Sequence, residues 1–142
     1  MPMLIEHIDA IARKKQRDVL FLTFHPKGST GLSWWDNDFY NWQQDAMRET
    51  VCKWLTEHHI AWQMCGYFAD ESSVCGSDGQ IYLDIPYDDN DPLYVLVRDY
   101  LENPDGSMRF ETVSFWILPL EKAMENAHHD EPGFWEKWAE NF

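Results

Sequence analysis

The run VLFLTF at residues 19–24 constrains this chain more than any other stretch. Its β-branched, aromatic and leucine side chains leave Thr23 as the one polar residue, so a strand built from them needs cover on both faces. Amphipathic segments flank it and can supply that cover. Residues 3–16 place Leu4, Ile8 and Ile11, with Met3, on one helical face. Arg13, Lys14, Lys15 and Arg17 fall at the end of that segment, where cations suit the helix dipole.

Residues 37–58 contain no Gly or Pro and predict a second helix, with Ser33 or Asp36 as its N-cap. Trp35, Phe39, Trp42 and Ala46 form one stripe, and Met47, Val51, Trp54 and Leu55 continue it alongside. Asp38, Asn41, Asp45, Arg48, Glu49 and Thr56 occupy the opposite arc. Trp34 falls off the apolar stripe, which makes it a candidate exposed aromatic.

Residues 60–70 read as a strand interrupted at Gly66, a position suited to a bulge. Asp78-Gly79 is a turn signal, and QIYLDIP at 80–86 reads as the return strand of a hairpin. Asp91-Pro92 supplies a preferred cap and first helical residue for a helix running to about Glu102. A fourth strand is expected within 107–118, then short helices over 119–129 and 131–142. The central order β-α-β-β-α-β predicts an α+β, ferredoxin-like sandwich in a single domain spanning 1–142. Four antiparallel strands would carry both crossover helices on one face. The extra N- and C-terminal helices would cover the other face or the sheet edges.

Eleven Lys and Arg stand against twenty-five Asp and Glu, a formal charge of −14. Residues 1–30 carry five basic and three acidic side chains; residues 31–142 carry six and twenty-two. Such a body repels phosphate backbones, so direct nucleic-acid binding is not expected. An acidic field favours rapid, salt-sensitive association with a basic protein. No segment has the length and apolarity of a membrane span, and no N-terminal signal pattern is present. The odd cysteine count (Cys52, Cys65, Cys75), without a CxxC pair, suits a reducing cytoplasm.

Candidate chemistry is sparse. His58-His59 and His128-His129 diverge on a helix rather than converge, so no metal site is expected, and these histidines are expected to be exposed near helix ends. The loop HPKGSTG at 25–31 lacks a Walker pattern, and no cofactor is expected. Cys75 has acidic neighbours in place of a base. Two readings remain. The first is a non-catalytic acidic module that occludes a basic, nucleic-acid-acting protein, as immunity proteins, antitoxins and nucleic-acid mimics do. Its binding residues would be Trp34, Asp36, Asp38, Asp84, Asp88, Asp89, Trp135 and Trp138. Phe134, Trp135, Trp138 and Phe142 would alternatively join two copies of the chain into a homodimer. The second reading is a small enzyme or ligand-binding domain with a cleft near His25 and the HPKGSTG loop, in which His25 acts as base with Asp84 as its partner.

Overall fold

A computed structural model describes residues 7–25, 41–69 and 79–140, and among these residues four strands and five α-helices form an α+β structure. β1 (Val19–Phe24) has β3 (Ile81–Leu83) on one side and β4 (Val113–Leu118) on the other; β2 (Trp62–Met64) lies beyond β3. The sheet order is β2-β3-β1-β4, and each neighbouring pair is antiparallel. Leu20 faces Leu83 across one ladder and Ile117 across the other. β1 is therefore central in the sheet.

Alternation along β1 sends Leu20, Leu22 and Phe24 to one face and Val19, Phe21 and Thr23 to the other. α2 (Ala46–Glu57) and α3 (Pro92–Leu101) cover the first face with Val51, Cys52, Leu55, Tyr94, Val97 and Leu101. α1 (Ile8–Lys15) and α4 (Leu120–Ala123) cover part of the second, bringing Ile8, Ile11, Ala12 and Ala123 against Val19, Tyr82 and Leu118. Burying one such side chain stabilises the fold by about 1.5–3 kcal/mol. An exposed ion pair contributes about 0–1 kcal/mol, so the two apolar layers dominate.

Several boundaries differ from the sequence expectation. The second helix begins at Ala46, because Asp45 caps it by accepting from the N–H groups of Met47 and Arg48. Trp42 sits before it in a 3₁₀ turn, Trp42–Gln44, whose cap is Asn41. An Asp at an N-cap outcompetes continuation of the apolar stripe, since it satisfies two otherwise unpaired donors. Ser33, Asp36, Trp35 and Phe39 lie outside the described residues. β2 ends at Met64, short of the expected 60–70, and Gly66 beyond it pairs with His7 in an isolated bridge, its carbonyl accepting from Ile8 N–H at 3.2 Å. β4 begins only at Val113, because Met108 bridges back to Glu102 and Arg109 N–H donates to Leu101.

The segment after α4 tightens into a 3₁₀ stretch, Met124–Asp130, kinked at Asn126, and the chain ends its described course in α5 (Phe134–Glu140). Asn126 Nδ2 donates to Asp9 and to the Ala69 carbonyl, both at 3.1 Å. His129, expected to be exposed, is buried at 4% exposure, stacked on Phe134 with ring centres 4.7 Å apart.

Arg13 is also not the surface cation its sequence context suggests. It is 5% exposed and donates to Asp9 at 2.8 Å, to Asp130 at 2.8 and 2.9 Å, and to the Ala123 carbonyl at 3.0 Å. The fully buried Asp9 also accepts from Ala69 N–H at 2.8 Å. Hydrogen bonding to Asp130 holds the Arg13 guanidinium above its ordinary pKa, and the same contact holds the Asp130 carboxyl below the usual range. This polar knot ties α1 to the loop before residue 70 and to the 3₁₀ stretch.

Candidate functional site

The loop from Asp84 to Asp91, between β3 and α3, contains three of the carboxylates singled out in the sequence, Asp84, Asp88 and Asp89, and the structure divides them. Asp84 is turned back onto α1 and the turn after it. It accepts from Arg17 at 2.6 Å and from the Tyr82 hydroxyl at 2.8 Å, and lies 3.6 Å from Lys15. Its charge is offset within the chain, as is much of the N-terminal basic cluster.

Asp88 and Asp89 point away from the body and are exposed. Asp88 closes an Asx turn by accepting from Asn90 N–H at 2.9 Å, and its carbonyl accepts from Asp91 N–H at 2.9 Å. Asp91 then caps α3, accepting from Leu93 and Tyr94 N–H at 3.0 Å. Turn and cap together set the loop's course, so the two carboxylates project from a hydrogen-bonded turn. Asp89 is 83% exposed and meets Arg98 at 3.5 Å; Asp88 has no ion pair among the described residues.

Beside them stands an aromatic that sequence patterning missed. Tyr87 is 56% exposed, its ring edge-on to Tyr94 with centres 5.3 Å apart. A tyrosine directly after Pro86, outside any helical or strand period, was the available signal. Leu93 and Leu96 are also partly exposed on α3. Tyr94, Phe115, Ile117 and Glu102 line a crevice of about 210 Å³ with Tyr87, between α3 and β4. Burial pushes the Glu102 carboxyl above its ordinary pKa.

The C-terminal aromatics fold back on the chain. Trp135 packs against His7, His129, Phe134 and Trp138, with ring centres 4.7–5.8 Å apart. Trp135 and Trp138 are half-buried. Trp34, Asp36 and Asp38 lie outside the described residues, as do Pro26 to Gly31 of the HPKGSTG loop, Cys75 and Phe142.

His25 and Asp84 are not brought together. Asp84 follows Leu83, which pairs with Leu20 near the start of β1, whereas His25 follows the end of that strand. The strand rise separates them by about 20 Å. His25 is 3% exposed and its Nε2 lies 2.9 Å from Ser114 Oγ; Trp116 Nε1 donates to Thr23 Oγ1 at 2.8 Å beside it. These are cross-strand polar pairs on one sheet face. Among the described residues no three His, Cys, Asp or Glu side chains converge as metal ligands, and no helix is long and apolar enough to cross a membrane. No family model, curated protein or solved structure matches the chain.

Proposed function

We propose that this protein is a non-catalytic acidic binding module that occludes a basic, nucleic-acid-acting protein, in the manner of an immunity protein, antitoxin or nucleic-acid mimic. The observation that carries the reading is the division of charge. Arg13, Lys15, Arg17, Arg98 and Lys122 each lie within ion-pair distance of a carboxylate of the chain itself. Asp88, which has no ion pair among the described residues, projects from a capped turn beside the exposed ring of Tyr87, and Asp89 next to it stays 83% exposed while meeting Arg98 at 3.5 Å. A charged rim around an aromatic anchor suits steering by charge and holding by desolvation. The same net charge argues against a direct nucleic-acid ligand.

For the scaffold we assign the ferredoxin-like arrangement. It is supported by the order β4-β1-β3-β2 read from one edge and by α2 and α3 sharing one core. A cytoplasmic setting is supported by the odd cysteine count. The enzyme reading has one supporting contact, His25 to Ser114, but it lies at a residue with almost no exposure. A homodimer through the C-terminal aromatics is weakened by their packing on His7 and His129.

The test is capture of partners from host lysate by the wild type and by Asp88→Lys/Asp89→Lys, at low and at high salt. The expected result is one basic protein, held by the wild type at low salt, released by high salt, and associating more slowly with the variant. Equal retention by both proteins at both salts refutes the reading.

A further inference from the structure

β4 ends the sheet, and among the described residues no strand pairs with its outer edge. His25 N–H donates to the Thr112 carbonyl at 3.1 Å, which sets the phase of the ladder. Ser114, Trp116 and Leu118 therefore turn their peptide groups toward β1, and Phe115 and Ile117 turn theirs away. Among the described residues, nothing bonds the outward N–H and C=O groups of Phe115 and Ile117. The strand VSFWIL has six residues and none of the charges, prolines or glycines that ordinarily blunt an edge. The crevice lined by Tyr87, Tyr94, Phe115, Ile117 and Glu102 runs beside it. Its anionic residue is Glu102, and Asp89 follows Tyr87 by two positions in the loop.

We propose that the β4 edge binds an extended, Lys- or Arg-bearing segment of the partner by strand addition. The segment's backbone would pair with Phe115 and Ile117, and alternate side chains would enter the crevice toward Tyr87 and Glu102. Strand addition draws affinity from main-chain hydrogen bonds and specificity from pockets for alternate side chains. Charge selects the occupant. A second copy would bring another chain of net charge −14 to the same edge, and like charges oppose that approach. A basic segment meets no such penalty. The inference rests on the acidic-binder reading and gives it a binding mode.

The test uses end-blocked peptides of about eight residues, long enough to span β4, in which Lys alternates with Val and Thr. Two further versions are N-methylated at alternate residues, in opposite phases, and a fourth replaces Lys by Glu. Binding is read by fluorescence anisotropy at low salt, with amide exchange of Phe115 and Ile117 followed by NMR. The Lys peptide is expected to bind and to slow exchange at both amides. One N-methyl phase should weaken it at least tenfold and the other little. Glu102→Gln should weaken it about three- to tenfold with unchanged melting, and the Glu peptide should not compete.

Equal affinity for both N-methyl phases and the parent peptide would show charge-only binding. That overturns strand addition and leaves the acidic-binder reading intact. Slow exchange at Phe115 and Ile117 that depends on protein concentration, without peptide, would make a second copy the occupant. Absence of binding by every peptide also overturns the proposal; salt-dependent capture of a basic protein would still decide the parent reading separately.

Discussion

Replacing Arg13 by Met tests whether the polar knot holds the termini together. The substitution keeps most of the side-chain volume but removes the bonds to Asp9, Asp130 and the Ala123 carbonyl. Asp130 is 54% exposed at its side chain, so water replaces much of what it loses. Asp9 has no exposure and would be left as a buried charge. Removing one partner of a buried ion pair costs about 3–5 kcal/mol. Asp9 retains donors from Ala69 N–H at 2.8 Å and Asn126 Nδ2 at 3.1 Å, which favours the lower end, about 3 kcal/mol. At about 2–4 °C per kcal/mol for a chain near this length, Tm should fall by about 10 °C. Urea unfolding with an unchanged slope would give the free energy directly. The double variant Asp9→Asn/Arg13→Met should recover part of the loss, since Asn removes the charge and still accepts from Ala69. A loss below about 1 kcal/mol for Arg13→Met, or a double variant no better than the single, refutes the account.

Acid should act on the same knot. The lowered Asp130 pKa contributes stability that is present above the ordinary carboxyl range and lost as pH falls through the lowered value. Asp130→Asn should therefore flatten the stability curve below about pH 4, and an unchanged acid limb would count against the contact. Gly79 has φ +84°, and a Cβ there would lie 2.7 Å from the Trp42 ring, which Arg48 also covers at 4.6 Å. Gly79→Ala should cost about 1–3 kcal/mol in urea unfolding, and a neutral substitution would mean the ring is not seated there. Cys65 is buried and its thiol is pushed up to about 12 by desolvation, so mass-mapped alkylation at neutral pH should label it only in denaturant.

Local signals in the sequence were read by the fold as written where the chain satisfies them locally. The apolar run of β1 became the buried central strand, and Asp91-Pro92 became the cap and first residue of α3. Met47, Val51, Trp54 and Leu55 face the core from α2 as their spacing requires. That helix starts later than the sequence suggests because Asp45, placed by spacing on the polar arc, caps it instead.

The candidate site was half legible. Asp88 and Asp89 were visible as an acidic turn, and Tyr87 as an aromatic outside any period. Asp84 looked equivalent to them, yet its fate depends on Arg17, 67 residues away in sequence. Arg13 looked like a surface cation, and its bond to Asp130 spans 117 residues. An ion pair is a meeting of distant side chains, and no period or cap encodes it. Nor does VSFWIL reveal that, among the described residues, only one side of its backbone is paired, because an uncharged apolar strand reads alike whether central or at an edge. The sequence by itself determined the elements, their order and the excess of negative charge. Only the tertiary structure decided which charges are offset and which strand lies at the end of the sheet, because both are set by neighbours that chain folding brings together.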